Sequence, residues 1–161
     1  MSQFHIRYLS EKDKYWVLQF LEKEWHSTKL VSRGKVYDAN ELPGFIAEQN
    51  KKPIGLVTYH IEKAECEIIT LNSLREGLGV GSALIETVKN TAKDLKCHRL
   101  WLITTNDNLS AIEFYKKRGF TLAAVHKDAI AESRKLKPQI PLLGKNGIPI
   151  KDEIEFEIRL L

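Results

Sequence analysis

Residues 75–82 run Arg-Glu-Gly-Leu-Gly-Val-Gly-Ser, and no other stretch constrains the fold as much. Gly77, Gly79 and Gly81 leave three alternate positions without a Cβ, so backbone N–H groups can converge on one bound anion. Behind them Leu84, Val88, Ala92 and Leu95 recur at helical spacing, which predicts an amphipathic helix with one buried stripe. A glycine-rich loop at a helix N-terminus gathers unpaired donors and the positive end of the helix dipole at one point. Such a point suits a phosphate or pyrophosphate. A glycine-rich strand-to-helix turn with no ligand is the plain alternative.

The surrounding pattern places this loop late in the chain. Residues 4–9 alternate as a first strand, Ser10 offers an N-cap, and 11–25 read as a helix burying Val17, Leu18 and Leu21. Residues 26–42 have mixed chemistry and no clear period, which predicts a long loop with at most one short helix. Strands follow at 44–49 and 54–61, joined through Asn50-Lys51-Lys52-Pro53 as an antiparallel hairpin, and a third at 64–71 enters the glycine loop. Residues 99–104 are apolar and β-branched. Asp107 or Asn108 can cap a helix over 109–118 that Gly119 ends, and strands at 120–125 and 154–160 complete the order. The whole reads as mixed α+β, antiparallel strands first and a strand–helix–strand–helix–strand unit after.

A chain of 161 residues with 43% hydrophobic residues can fill one domain with a single core. No apolar run reaches the roughly 18 residues a bilayer span needs, and the N-terminus lacks a signal-like apolar segment, so a cytoplasmic protein without membrane contact is expected. Cys66 and Cys97 form neither a metal spacing nor a disulfide framework and read as buried apolar residues; no metal site is expected. The formal charge of +4 comes from interleaved acids and bases, too weak a signal for nucleic acid.

The loop is not a P-loop, because Gly-Lys-Ser/Thr never appears, and at least three antiparallel-looking strands precede it, which a dinucleotide fingerprint does not allow. Glu76-Gly77-Leu78-Gly79-Val80-Gly81 instead resembles the pyrophosphate loop of the GCN5-related N-acetyltransferases (GNAT family). Asn108-x-x-Ala111-x-x-x-Tyr115-x-x-x-Gly119-Phe120 is similar to that family's second signature, at the right separation. The resemblance covers about residues 3–126 and implies the GNAT fold, a mixed, mostly antiparallel sheet of about seven strands flanked by helices. One position departs: Glu76 stands where the family carries Arg or Gln, and Arg75 sits one place earlier.

The resemblance implies acetyl-CoA as co-substrate and an amine as acceptor. It implies a strand at 64–71 that splays from its neighbour and leaves main-chain groups of Leu71 and Ser73 to pair with the pantetheine arm. The segment Glu76, Gly77, Leu78, Gly79, Val80, Gly81 and Ser82 would hold the pyrophosphate through its N–H groups. Asn108, and secondarily Asn106, would bond the pantetheine from the far side, although a plain helix cap also explains Asn108. Tyr115 matches the family's general acid, a phenol able to protonate a departing thiolate; as a residue of an apolar helical stripe it needs no such role. The Leu71 N–H is the implied oxyanion donor. Strand alternation puts Glu65 and Glu67 on one face, Glu67 nearer the thioester and preferred as base, with Glu65 second; two solvated carboxylates are the plain alternative.

Two regions would shape the acceptor pocket. Residues 25–38 carry His26, Thr28, Ser32, Arg33, Tyr37 and Asp38. Residues 127–152 lie outside the compact pattern: Asp128 can cap a short helix through Leu136, and the apolar patches at 140–143 and 148–150 suit a lid, a homodimer contact or both. Arg134, Lys135 and Lys137 read as helix surface or as a contact for the CoA 3′-phosphate. The expectation is therefore one domain over residues 1–161, closed by a last strand at 153–161. It would act as an acetyl-CoA-dependent N-acetyltransferase on a primary amine, of a small molecule in preference to a protein. A CoA-binding module without catalysis is the rival of another class.

Overall fold

The structure, a computed structural model that describes residues 3–25, 27 and 29–160, is built on paired turns of left-handed backbone. Asn50 and Lys51 have φ of 53° and 63°, Lys63 and Ala64 54° and 59°. Two consecutive positive φ values match the twist of the strands they join. They fold β4 (Gly44–Gln49), β5 (Lys52–Glu62) and β6 (Glu65–Ser73) into an antiparallel meander. Ahead of it come β1 (His5–Tyr8) and α1 (Lys14–Trp25), the helix entered through a 3-10 turn at Glu11–Asp13 that Ser10 and Asp13 cap reciprocally.

Residues 26–42 correct the expectation of a long loop. They hold a second hairpin, β2 (Lys29–Ser32) and β3 (Lys35–Asp38), then a 3-10 turn at Ala39–Glu41; His26 and Thr28 lie outside the described residues. Arg33 and Gly34, with φ of 48° and 76°, form its two-residue turn. The strands are only four residues each, too short for alternation to stand out from the polar surroundings.

The C-terminal half is α2 (Val80–Asp94), β7 (Arg99–Thr105), α3 (Leu109–Lys117), β8 (Thr121–His126), α4 (Ala129–Leu136) and β9 (Glu153–Arg159). Seven strands make one sheet in the order β1-β4-β5-β6-β7-β9-β8, with β2 and β3 apart as their own pair. Among the described residues only β6 and β7 run parallel. A mixed sheet with helices on both faces is what the sequence pattern and the family resemblance predicted.

One face packs against α2, whose Val80, Leu84, Ile85, Val88 and Ala92 are buried with Phe45, Val57, Cys66, Ile68, Leu100, Leu102 and Phe156. Burying each such aliphatic chain stabilises by about 1.5–3 kcal/mol. Leu95 departs from the predicted stripe: it follows the helix as its cap and is 59% exposed. Ile112, Phe114 and Tyr115 bring α3 onto the same face, and the α3 terminus closes as a Schellman turn, Gly119 N–H to Lys116 O at 3.1 Å and Phe120 N–H to Tyr115 O at 3.1 Å. The other face carries α1 and the β2–β3 hairpin, with Val17, Leu21, Leu30, Ala39 and Leu56 as a second cluster. α4 packs beside β2 on that same side, burying Ile130 and Ser133.

Segment 127–152 is tied back to the rest of the chain, although Leu142 and Leu143 of its apolar patches stay 72% and 57% exposed. Arg134 holds it, donating from Nη2 to Pro141 O and Ile150 O at 2.7 Å each. Arg134 is thus an internal staple on the α1 face, away from the glycine loop, and Lys135 pairs with Glu132 on its own helix. Among the described residues no helix is long and apolar enough to cross a membrane.

Candidate active site

Strands β6 and β7 pair over four residues only, Glu65 to Ile68 against Arg99 to Leu102. Beyond that point β6 continues to Ser73 against β5 alone, while Ile103, Thr104 and Thr105 of β7 pair only with β9. The sheet is split there. Leu74 N–H bonds Ile54 O at 2.8 Å. Antiparallel ladders alternate between bonded and non-bonded pairs, so Asn72–Leu56 and Thr70–Thr58 are bonded, and the main-chain groups of Leu71 and Ser73 point away from β5 into the split. An open strand edge of this kind can accept an extended, amide-bearing ligand. Nearby, Asn72 Oδ1 is buried without a hydrogen-bond partner.

The glycine segment leads from the upper end of β6 into α2. Gly77 and Gly79 have φ of 79° and 76°, and no atom lies within 4 Å of where a Cβ would stand on either. The positive φ therefore demands glycine while the space in front stays clear. Gly79 caps α2, so the free N–H groups of its first turn, from Val80 through Ser82, open beside that space. Leu78 is half-buried against the main core, whereas Arg75 and Glu76 are exposed, which keeps the Glu76 carboxylate in solvent. Arg118 adds a cation close by, lying 4.0 Å over the Phe114 ring and donating to Ser82 Oγ at 2.8 Å. These residues fit a pyrophosphate: backbone donors, a helix N-terminus and a neighbouring guanidinium, with no carboxylate turned inward.

Asn108 precedes α3 with its side chain exposed and making no capping bond. Asn106 is placed differently. Its amide donates to Pro149 O at 2.8 Å and accepts from the N–H groups of Lys151 and Asp152 at 3.0 Å each, so it pins the returning segment. Tyr115 is half-buried on the α2 face, edge-on to Phe114 and Phe120 at 5.5 and 5.6 Å, and burial pushes its phenol up to about 12. What surrounds Tyr115 is apolar packing, as the helical stripe predicts.

The two glutamates on β6 part company. Glu65 is half-buried and ion-paired, at 2.8 Å from Arg99 Nε and 3.6 Å from His98. Arg99 also reaches Glu155 and Glu157 at 2.8 and 3.0 Å. Glu67 is only 4% exposed and, among the described residues, has no ion-pair partner within 4.0 Å. Ser32 Oγ donates to its Oε2 at 2.5 Å and Tyr37 OH to its Oε1 at 3.4 Å. Burial raises it to about 7 against the lowering effect of those hydrogen bonds and of His60, with the Glu153 charge adding to the rise. A carboxyl poised there can take or give a proton near neutrality. Ser32 and Tyr37 came from a segment whose sequence showed only polar density; the Arg33-Gly34 pair was the available sign that it turns back on itself.

Glu67 lines a cavity of about 190 Å³ with Tyr37, His60, Glu65 and Trp101, on the face opposite Tyr115. A larger cavity of about 340 Å³ lies between the start of α1 and residues 39–43, but its one buried carboxylate, Asp13, is bound to Arg7 at 2.8 Å. The smaller one holds the buried carboxyl that no ion pair occupies among the described residues. Cys66 and Cys97 are both buried, and burial pushes the Cys66 thiol up to about 12, far from a working nucleophile.

Comparison with known proteins bears on the family and the fold. Residues 8–120 match the family model described as the acetyltransferase (GNAT) family. The Bacillus subtilis (strain 168) protein YdhI is 43% identical over 148 residues, covering 91% of this chain and 92% of that one. Among solved structures, a GNAT family acetyltransferase from Elizabethkingia anophelis with acetyl-CoA bound superposes with a TM-score of 0.72 at 18% identity, over 98% of both chains. A Bacillus subtilis acetyltransferase in complex with CoA does so with a TM-score of 0.72 at 18% identity, over 99% of this chain and 100% of that one.

Proposed function

The chain belongs to the GNAT acetyltransferase family, and on that premise we propose that it moves an acetyl group from acetyl-CoA to the primary amine of a small molecule. Both substrates are bound together and no acyl-enzyme forms. One observation carries the reading: β6 bears Glu67, a buried, hydrogen-bonded carboxyl beside a cavity, one residue before its pairing with β7 ends, and its far end leads into the glycine segment that opens α2.

Acetyl-CoA, when bound, supplies an activated thioester. Its pyrophosphate is held by the N–H groups of residues 77–82, and its pantetheine by the outward main-chain groups of Leu71 and Ser73 with Asn108 opposite. The Leu71 N–H donates to the carbonyl oxygen as negative charge develops there. Glu67, ionised, takes the amine proton, and Tyr115 protonates the departing thiolate. Glu65 is the weaker base because Arg99 holds it as an ion pair. The elevated Cys66 thiol supports direct attack over a cysteine-linked acetyl. A cavity of about 190 Å³ favours a small amine over a folded protein surface.

The test is release of free thiol from acetyl-CoA across panels of small amines and of peptides, with Tyr115→Phe beside the wild type. Turnover with small amines is expected, and the variant should lose roughly a hundredfold in kcat with its acetyl-CoA affinity kept. Turnover confined to peptides would replace the acceptor class. Binding of CoA without turnover would leave a binding module.

A further inference from the structure

The residue proposed as base is held from outside its own sheet. Strands β2 and β3 pair with each other alone, so no ladder bond ties their hairpin to the seven-stranded sheet. Side chains do that instead. At the turn, Arg33 Nη1 lies 2.7 Å from Glu153 Oε1 and the Arg33 N–H 3.3 Å from its Oε2, which joins the hairpin tip to β9. Glu153 is only 2% exposed, so Arg33 neutralises a charge that water does not reach. Lys35 adds a bond to Glu62 of β5 at 2.9 Å, and Leu30 is buried beneath α1. The residue before the turn is Ser32, itself 7% exposed, whose hydroxyl proton is directed at Glu67.

Taking Glu67 as the base, we infer that the β2–β3 hairpin is its positioning device. Ser32, with Tyr37 as a second donor, orients the Glu67 carboxylate and favours its ionised form, and the Arg33–Glu153 pair holds the hairpin in that place. A hydroxyl can donate to a carboxylate but gains nothing comparable from a neutral carboxyl, so the Ser32 bond opposes the protonation that burial promotes. The groups facing Glu67 pull in both directions: His60 from β5 favours the charge, and Glu153 from β9, paired with Arg33, opposes it. Glu62, Lys35 and Lys63 at the cavity rim balance in part, with Lys35 on Glu62. Glu65 on β6 is neutralised by Arg99 of β7. Ser32 touches neither substrate in this scheme and acts through Glu67; Tyr37 also lines the cavity.

The experiment compares wild type, Ser32→Ala, Ser32→Thr and Arg33→Met by two readouts. The first is the pH profile of kcat/KM with a saturating donor. The second is the titration of the Glu67 side-chain carbon by ¹³C NMR, assigned with Glu67→Gln. Removing a hydrogen bond to a charged group should raise the Glu67 midpoint, and the acid limb with it, by about one pH unit, a roughly tenfold lower rate on that limb. The rate well above the limb should stay close to wild type, and Ser32→Thr should restore the wild-type midpoint. Arg33→Met should move it in the same direction by uncovering Glu153; if that variant does not fold, Ser32→Ala decides alone. An unchanged Glu67 midpoint in Ser32→Ala, or an equal loss of rate at every pH, overturns the inference. A wild-type rate for Glu67→Gln across pH overturns the base reading instead, and the NMR midpoint still judges the hairpin.

Discussion

Gly55 tests whether the anion cradle depends on how tightly β5 and α2 are packed. A Cβ built on it would stand 2.5 Å from Val80 Cγ1, 3.1 Å from Leu84 Cδ1 and 3.2 Å from the Asn72 carbonyl oxygen. None of the three yields easily. Val80 is 1% exposed and β-branched at the first turn of α2, with one favoured rotamer; Leu84 is fully buried; the Asn72 oxygen is backbone. Gly55→Ala therefore forces the N-terminus of α2 outward, at an overpacking cost of about 2–3 kcal/mol. Restricting the unfolded chain offsets about 0.4–1 kcal/mol of that, for a net of about 2 kcal/mol. For 161 residues, an unfolding entropy of about 2.1 cal/mol/K per residue converts this to a fall of about 6 °C in Tm. Because Val80 opens the helix whose N–H groups are proposed to hold the pyrophosphate, displacing it should cost the equivalent of one charge-assisted hydrogen bond, roughly tenfold in CoA affinity or more. Scanning calorimetry and a CoA titration measure the two effects. Leu21→Ala is the control: it empties the other core and should lower Tm without touching affinity. An unchanged Tm for Gly55→Ala refutes the close approach. A lowered Tm with wild-type affinity refutes the coupling of packing to cradle.

Two further outcomes follow from single residues. Gly79→Ala meets open space, so its penalty is the left-handed backbone alone, about 1–2 kcal/mol; calorimetry should find a modest fall in Tm beside a larger loss of CoA affinity. The Arg7 guanidinium holds the Asp13 carboxyl down at about 2, below its unfolded value near 3.9. The ionised Asp13 therefore contributes stability that is fully present above about pH 4 and lost as pH falls toward 2. Urea midpoints across pH 2–5 should show that loss in the wild type and a flatter curve in Arg7→Gln; equal slopes would remove the ion pair as its cause.

Local pattern made much of this molecule legible. The strands at 44–49 and 99–105, the helix behind the glycine segment, and the helix ending at Gly119 all obey short-range rules of periodicity and chain reversal. Leu95 misled because spacing alone cannot see that a helix ends one residue earlier. The hairpin at residues 29–38 escaped for a related reason. Four-residue strands carry little periodic signal, and what holds them in place is Arg33 on Glu153, 120 residues further along the chain. Asn106 shows the same limit from the other side: its amide binds residues 149–152, a partnership no window around position 106 contains.

By itself the sequence determined the glycine segment and the helix that follows it. Alternate glycines ahead of an amphipathic helix can present converging N–H groups, and that is a property of backbone stereochemistry within a few residues. It also determined that Glu65 and Glu67 share a face, since side chains alternate along any strand. Only the tertiary structure decided what those carboxylates are. Glu65 meets Arg99 across the parallel pair and stays an ion pair, whereas Glu67 loses its water to a hairpin that carries Ser32 and Tyr37 over it. A carboxyl's affinity for its proton depends on the solvent it has lost and the donors it has gained, and both arrive from distant parts of the chain.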